Sequence, residues 1–222
     1  MWAMYDPWPL RHLVLRTPRL ELRPDDDEGL LELVALARQG VHPDRTMPFA
    51  HPWTDASPED LGPNTVRHHW QQRAAIADGN FGLQFLVRLD GKVIGVQGLT
   101  AENFPVTREV ASGSWLGMAY QRQGYGTEMR AAVLMFAFDH LGALTARSSA
   151  FTDNAASRGV SLKLGYRPDG TQLHVVRDKR VVEERFLLEK ANFVRPEWTL
   201  HTQGAEASVP FLATGHIPPK EP

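Results

Sequence analysis

Apolar and polar residues alternate along several short segments of the chain, and a period of two predicts β-strands. Leu20 and Leu22, for instance, alternate with charged neighbours. Asp90 and Gly91 separate two longer segments of this kind, and an Asp-Gly pair in that position is a strong hairpin signal. Strands are predicted at 19–23, 81–89, 92–99, 108–118, 144–151, 172–177 and 181–189.

Other segments carry apolar residues at spacings of three and four, which predict amphipathic helices. Leu30, Leu33 and Ala37 follow this spacing between an acidic run at 25–28, which suits a helix N-terminus, and a terminating Gly40. Helices are predicted at 25–39, 58–78, 127–141 and 154–164. The order β-α-α-β-β-β-α-β-α-β-β predicts an α/β (α+β) protein with a mixed sheet and helices on its faces.

The boundaries of the domain are predicted at the places where the apolar periodicity ends. Residues 1–10 hold two prolines and three bulky aromatic residues, which predicts an N-terminal arm over 1–14. We expect a single domain over 1–192 and, where periodicity fades, a C-terminal tail over 193–222. Within the domain, residues 41–58 hold four prolines and no periodicity, which predicts a long loop.

Composition narrows the class of protein. The 222 residues include no cysteine, which excludes disulfides, thiolate metal sites and a cysteine nucleophile and fits a reducing compartment. The formal net charge of −2 gives no reason to expect nucleic acid or an anionic membrane as partner. No apolar run has membrane-spanning length and no signal-peptide pattern opens the chain, so a cytoplasmic location is expected.

A glycine-containing turn comes between the strand at 108–118 and the helix that follows. Gly124 and Gly126 would let the backbone approach an anion, and the start of a helix presents N–H groups to it. A dinucleotide-binding fingerprint would need a third glycine where the chain has Met129, and the Gly-Lys-Ser/Thr of a P-loop is absent. A turn whose glycines serve only backbone geometry stays open as the simpler interpretation.

A second polar feature lies on the helix at 154–164. Asn154, Ser157 and Ser161 share one face of that helix because they are three and seven residues apart. Short polar groups in this arrangement could face a thioester and its amides. The simpler alternative is that Asn154 caps the helix and that both serines face solvent.

Together these segments resemble a known family. Gln121-x-x-Gly124-x-Gly126 is similar to the pyrophosphate loop of the GCN5-related N-acetyltransferase (GNAT) superfamily. The Gly-Ser-Trp-Leu sequence at 113–116 and the segments at 153–157 and 163–166 resemble the subfamily that acetylates the N-termini of ribosomal proteins. The resemblance covers about 15–190. The blocks at 46–49, 52–53, 70–72 and 126–130 are similar to an actinobacterial branch that includes a mycobacterial protein linked to succinyl-CoA.

The resemblance implies the GNAT fold, a mostly antiparallel twisted sheet of about seven strands flanked by about four helices. It implies an enzyme that transfers an acyl group from acetyl-CoA or succinyl-CoA to a primary amine by direct attack in a ternary complex. The residues implied in binding the CoA moiety are Trp115, Leu116, Gly117, Met118, Gln121, Arg122, Gln123, Gly124, Tyr125, Gly126, Thr127, Asn154 and Ser157. Backbone N–H groups around 115–118 would hold the pantetheine arm.

Two departures from the family pattern concern proton transfer. Many relatives have a tyrosine at the position of Ser161, so Ser157 becomes the candidate proton donor to the departing thiolate. Relatives often have a glutamate where this chain has Ala111. Glu109, on the same strand face, and His174, on a following strand, are therefore the candidate bases. A route in which water removes the proton stays open.

The acceptor side is less defined by the sequence. Phe49, His51 and Trp53 in the proline-rich loop are expected to shape the acceptor and acyl pocket. No metal is expected, because His68 and His69 are adjacent and no His-x-x-x-His pair occurs. A small molecule and a protein amine both remain open as acceptors, as does a homo-oligomer. The alternative function is a non-catalytic acyl-CoA-binding module that has lost its base at Ala111.

Overall fold

The computed structural model describes residues 6–214; the remaining parts of the predicted arm and tail, 1–5 and 215–222, lie outside the described residues. The strands are β1 (Val14–Arg16), β2 (Leu20–Pro24), β3 (Phe81–Leu89), β4 (Lys92–Ala101), β5 (Glu109–Leu116), β6 (Thr145–Phe151), β7 (Arg167–Val176), β8 (Lys179–Glu189) and β9 (His201–Gln203). The α-helices are α1 (Asp27–Arg38), α2 (Pro58–Ala74), α3 (Phe104–Thr107), α4 (Tyr125–Met135), α5 (Ala155–Lys163) and α6 (Ala205–Thr214), and a π-helical segment, Phe136–Leu141, extends α4.

These strands form one sheet in the order β7-β8-β6-β5-β4-β3-β2-β1-β9. Neighbouring strands are antiparallel except β5 and β6, which are parallel. The mixed, mostly antiparallel sheet confirms the predicted fold class. Within the described residues it has nine strands and six α-helices, where about seven and four were predicted. Of the additional elements, β1, β9 and α3 have three or four residues each, too few to show a period, and α6 lies in the segment at 193–222 where periodicity fades.

Several predicted boundaries have local physical causes. The α1 helix begins after Asp26, whose side chain accepts a hydrogen bond from the Gly29 N–H (2.7 Å), as expected of an acidic cap. The neighbouring Asp25 has a different role: it is buried, and its carboxylate lies 2.8 Å from His69 Nδ1. This buried pair joins the end of β2 to α2 and helps to fix α2 over the sheet.

The helices cover the two faces of the sheet differently. The α1 and α2 helices pack on β3 and β4 from one side, around a cluster that includes Leu33 and Leu86. The α4 helix and its π-helical extension lie on the other side, in the main core with Phe85 and Phe136. We call these the α2 face and the α4 face of the sheet.

Described segments near both ends of the sequence contribute to the same structure. The β9 strand pairs with β1, with Val14 opposite Gln203. Phe211 of α6 is buried, and the Trp8 ring meets it edge-on at 5.1 Å. The described parts of the segments predicted as an arm (1–14) and a tail (193–222) are thus packed against the core. None of the helices within 6–214 is long and apolar enough to cross a membrane.

Candidate functional site

The two parallel strands in the middle of the sheet separate along their length. Pairing between β5 and β6 covers three residue pairs and ends at Ala111 opposite Arg147. Beyond this point β5 continues to Leu116 and β6 to Phe151 without pairing to each other. Beyond the last pair the facing edges of the two strands are therefore not hydrogen-bonded to each other, and we call the space between them the gap.

Backbone hydrogen bonds determine which amides of β5 face this gap. The N–H groups of Gly117 and Met118 donate to the carbonyls of Ile94 (3.0 Å) and Gly40 (3.1 Å). Those two amides are thus already engaged, which corrects the expectation that they hold a pantetheine arm. Since N–H direction alternates along a strand, Ser114 and Leu116 are the residues that turn their amides toward the gap.

The turn at the start of α4 contains two glycines, and the reason for glycine differs between the two positions. Gly124 is the N-cap residue with φ of +85°, a conformation that favours glycine. Gly126 lacks such a φ, and a Cβ built on it would approach nothing closer than Val160 at 3.8 Å. The protein's own packing accounts for Gly124 and does not account for Gly126, which is what a ligand passing close to the backbone would produce.

No side chain caps this helix start. Glycine at the N-cap offers none, and the Thr127 N–H bonds back to the Gly124 carbonyl at 3.1 Å. The first-turn amides of Tyr125 and Gly126 have no carbonyl one turn earlier in the helix to accept them. The start of α4 therefore presents donors, with the helix dipole behind them, beside the gap.

Side chains around the turn hold its shape. Gln121 Nε2 donates to the carbonyls of Val41 (2.7 Å) and Leu116 (2.9 Å). The Arg19 guanidinium donates to the Gln123 carbonyl (3.1 Å) and lies 4.5 Å from the centre of the Tyr125 ring. Gln121, Gln123 and Tyr125 thus brace the turn from within. Arg122, with φ of +60°, lies exposed on it.

The polar stripe predicted on α5 divides between two environments. Asn154 is the helix cap and accepts a hydrogen bond from the Ser157 N–H at 3.1 Å. Ser157 is half-buried, and no described residue donates to or accepts from its hydroxyl. Ser161 is fully buried and contacts Arg130 and Ser148, so the alternative in which both serines face solvent is wrong for Ser161.

The contacts of Ser161 reveal a residue that the sequence reasoning did not select. Arg130 of α4 is buried, and its Nη1 donates to the hydroxyls of Ser161 (2.9 Å) and Ser148 (3.1 Å). Burial lowers the pKa of Arg130. A sequence signal existed, because Arg130 interrupts an otherwise apolar run from 129 to 138.

On the α2 face, Glu109 is held at the closed end of the strand pair. Its carboxylate accepts from Arg147 Nε (2.8 Å) and from the Thr145 hydroxyl (3.0 Å). Arg147 also donates to Asp169, and the hydrogen bond that Arg147 donates to Glu109 is the largest cause of the raised pKa of Arg147. Glu109 is thus a structural ion-pair partner where β5 and β6 are still joined.

The other candidate base, His174, belongs to a polar chain on the same face. His174 Nε2 lies 2.9 Å from Glu183 Oε2, and the Ser149 hydroxyl donates to Glu183 Oε1 at 2.6 Å. The His174 ring is 5.9 Å from that of Phe151. Ser149 and Phe151 lie two and four residues after Arg147 on β6 and therefore point to the same face of the sheet. This group thus shares its face with Glu109 and with Gly113 of β5.

The proline-rich loop covers the open end of β5. The rings of Phe49, Trp53 and Trp115 follow one another at 5.4 Å between neighbouring centres. His51 lies exposed near this group, at the loop's surface. The β7–β8 turn reaches across to the same loop, where Arg177 donates to the Asp55 carboxylate at 2.8 Å. The loop therefore has contacts to the strands on both sides of the gap.

An open cleft of about 630 Å³ lies on the α2 face beside the closed end of the gap. Its walls are formed by α2 and by β3, β4 and β5. The lining includes Gln72, Gly82, Thr100, Glu102, Glu109 and Ala111. Further along β5, a Cβ built on Gly113 would meet nothing within 4 Å, so open space continues toward the gap. Within 6–214 no three His, Asp or Glu side chains are grouped to hold a metal ion.

Comparison with known proteins agrees with this geometry. Residues 19–167 match the acetyltransferase (GNAT) domain family. The structure of Mycobacterium smegmatis RimJ in complex with CoA-disulfide superposes with a TM-score of 0.69 at 19% identity, covering 91% of this chain and 95% of that one. The RimL ribosomal L7/L12 alpha-N-protein acetyltransferase in complex with coenzyme A gives 0.62 at 18% identity, covering 78% and 95%. A GCN5-related N-acetyltransferase from Brucella melitensis gives 0.64 at 19%, covering 81% and 79%.

Proposed function

Since the chain belongs to the acetyltransferase (GNAT) domain family, whose activity is CoA-dependent N-acetyl transfer, we propose that it transfers an acyl group from acyl-CoA to a primary amine within a ternary complex. One observation carries this proposal. The β5 and β6 strands separate after Ala111 and Arg147, and the uncapped start of α4 lies directly after β5. An extended donor with a pyrophosphate could occupy both features at once.

The CoA moiety would be held mainly by backbone groups. The pantetheine arm would lie in the gap against the amides of Ser114 and Leu116. The pyrophosphate would accept from the amides of Tyr125 and Gly126, where no Cβ interferes and the helix dipole favours negative charge. Arg122, exposed on the turn, adds a cation beside the phosphates.

The amine acceptor would approach from the α2 face. The cleft beside Ala111 leads along β5 to the open space at Gly113, where a nucleophile could reach a thioester in the gap. Phe49 and Trp53 would form one wall of this approach, with Trp115 beneath them. His51 would lie at its entrance.

Of the two candidate bases, the contacts favour His174. Both carboxylate oxygens of Glu109 already accept hydrogen bonds, one from the Arg147 guanidinium and one from the Thr145 hydroxyl. The His174 ring is oriented by Glu183 through one nitrogen, which leaves the other nitrogen to take a proton. Ser157, whose hydroxyl has no partner among the described residues, would donate a proton to the departing sulfur.

The donor would be acetyl-CoA or succinyl-CoA. A succinyl group needs a cation for its terminal carboxylate, since an unpaired buried charge is costly. Arg45 or His51, both exposed in the proline-rich loop, would supply one. Acyl-CoA donors and a chain without cysteine both suit the cytoplasm as the place of action.

The binding site is tested by placing a charge on Gly126. The Gly126→Asp variant adds a side chain and a negative charge beside the proposed pyrophosphate, so we expect calorimetry to show at least a hundredfold weaker CoA binding in a folded protein. Gly159→Asp is the matched control, because Gly159 lies on an exposed part of α5 with nothing within 4 Å of its Cβ position. Equal CoA affinity in both variants would contradict the assignment.

A non-catalytic acyl-CoA-binding module is the second candidate, because Ala111 stands where relatives often have a glutamate. The two functions differ in turnover. Release of free CoA from acetyl-CoA and succinyl-CoA, followed with Ellman's reagent in the presence of mixed amines, should continue over many cycles and yield acylated product. Tight CoA binding without product from any amine would favour the module.

A further inference from the structure

Arg130 is the one buried charge whose partners, within the described residues, are all neutral. The two buried acids in 6–214 both have charged or ionisable partners: Asp25 pairs with His69, and Glu128 pairs with Arg19. Arg130 is 4% exposed and has hydroxyl groups around it. Guanidinium groups keep their proton in proteins, so this position holds a full positive charge without a counter-ion.

The hydroxyls come from the three elements that border the gap. Ser114 lies on β5 beyond the last paired residue, and its hydroxyl accepts from Arg130 Nη2 at 3.4 Å. Ser148 lies on β6, also beyond the last pair, and Ser161 lies on α5 one turn after Ser157. The guanidinium is thus anchored on the α4 face, directly beneath the point where the strands part.

Nearby ionisable groups do not cancel this charge. On its own helix, Glu128 is engaged by Arg19, with Nε at 2.6 Å from the carboxylate. The titratable group facing Arg130 from another element is Tyr166, which is buried, and burial raises the pKa of its phenol. Tyr166 is therefore neutral at neutral pH. The buried Arg130 Nε has no hydrogen-bond acceptor, so part of the guanidinium is unsatisfied.

A buried charge without a counter-ion is unfavourable for folding, and an apolar residue at this position of α4 would fit its apolar neighbours. The position therefore suits an anion that appears only during the reaction. When the amine nitrogen bonds to the thioester carbon, the C–S bond breaks and its electron pair goes to sulfur. The amine proton passes to the base or to water, and CoA leaves as a thiolate.

We propose that Arg130 acts through its positive charge to stabilise the CoA thiolate in the gap, and so makes CoA a better leaving group. The charge acts at a distance, through a water-poor interior where electrostatic interactions are stronger than in bulk water. It complements Ser157, which would later pass a proton to the same sulfur and take one up from solvent water. The inference rests on the proposed function, because it requires CoA to lie between β5 and β6.

The pKa of the bound CoA thiol is the direct measure of this effect. It can be read from the ultraviolet absorbance of the thiolate as the pH of the CoA complex is varied. Burial alone would raise the pKa of a thiol, whereas the positive charge of Arg130 would lower it. In wild-type protein we expect the charge to outweigh burial, with a thiol pKa lower than in free CoA by about one unit. Arg130→Lys should retain the shift, and Arg130→Met should lose it.

Arg195→Gln is the matched control, because it removes one positive charge from an exposed ion pair with Asp139. It should leave the thiol pKa unchanged. A wild-type thiol pKa at or above that of free CoA would overturn the inference without using any variant that could misfold. So would an unchanged thiol pKa in folded Arg130→Met with a selective loss of succinyl-CoA turnover, which would assign the charge to the acyl group. If wild-type protein does not bind CoA at all, it is the proposed function that fails.

Discussion

At the gap between β5 and β6, the α4 face and the α2 face of the sheet offer different kinds of chemical group. On the side of α4, the proposed CoA site consists of backbone amides at the end of β5 and the start of a helix, with Gly126 leaving room for a ligand. On the α2 face, the proposed acceptor site consists of side chains: the loop aromatics, the pair of His174 and Glu183, and the cleft beside Ala111.

On the proposed function, this difference would make the CoA site general and the acceptor site specific in what each binds. A backbone site recognises what all acyl-CoA molecules share, and any sequence with the right glycines and helix start can form it. A side-chain site can change with each substitution and so determines the acceptor. We therefore expect substitutions on the α4 side to change CoA affinity, and those on the α2 face to change acceptor kinetics.

The largest effect is expected at Gly113, where the two sides meet. A Cβ there would enter open space, so Gly113→Val should fold normally with little change in Tm. Its branched side chain would stand between amine and thioester, and we expect kcat/KM to fall by a hundredfold or more because a small misplacement of reactants has large effects. Near-normal turnover with full-length CoA and amine would mean that the reacting groups meet elsewhere.

The next effect separates the two candidate bases. A general base contributes roughly 10²–10⁴-fold, so His174→Gln should lower kcat/KM by about a hundredfold while CoA affinity is kept. A base works unprotonated, so the wild-type rate should fall at acidic pH, and His174→Gln should lose this acidic limb. Glu109→Gln is the comparison and should change the rate less than tenfold.

The reverse result, a hundredfold loss in Glu109→Gln with a normal pH profile in His174→Gln, would reassign the base. If neither variant changes the rate or the profile, proton removal by water becomes the better account. Either outcome would leave the CoA side of the comparison intact, because both residues lie on the α2 face.

A moderate effect is expected from the loop aromatics. Trp53→Ala removes a ring that packs between Phe49 and Trp115. We expect the KM for the amine to rise about tenfold, since aromatic rings supply much of the apolar contact area of a binding wall. The calorimetric Kd for CoA should change less than twofold. A larger loss in CoA affinity than in acceptor KM would contradict the division between the two sides.

The smallest effect is expected at the contact between the loop and the β7–β8 turn. Arg177 lowers the pKa of Asp55 by donating to its carboxylate. The folded-state pKa of Asp55 lies below its unfolded-state pKa, so the stabilisation that the ion pair gives to the loop is present at neutral pH and is lost as pH falls through the folded-state pKa. Because the pair is exposed, Arg177→Gln should change the acceptor KM about threefold at most at neutral pH. At low pH the variant and the wild-type protein should have the same acceptor KM.

The sequence marks the proposed CoA site more clearly than the proposed acceptor site, because the parts of the proposed CoA site are neighbours in the chain. Gly124, Gly126 and the helix after them are neighbours in the chain, so a short pattern marks them. The contact between His174 and Phe151 joins two strands, and Arg147 joins Glu109 to Asp169 across the sheet. Pairs of this kind depend on register between distant strands, which periodicity does not reveal.

Short sequence patterns also failed to predict the hydrogen bonds of residues whose partners lie far away in the sequence. The amides of Gly117 and Met118 fit the resemblance, but Ile94 and Gly40 accept from them. The spacing of Ser161 allowed a solvent-facing position, but the side chain is buried and accepts a hydrogen bond from Arg130 of another helix. The short β9 and the α6 helix had no clear period, although Phe211 shows that they complete the core.

The central claim is that the backbone between 113 and 127 holds CoA while the α2 face receives the amine. Amide hydrogen exchange with and without CoA tests it most directly, because it reports on the same N–H groups that would bind the ligand. We predict slowed exchange in peptides covering 113–127 and 154–157, and little change in those covering 172–185. Protection confined to the cleft residues 72–82 and 100–111, with none at 122–127, would contradict the account.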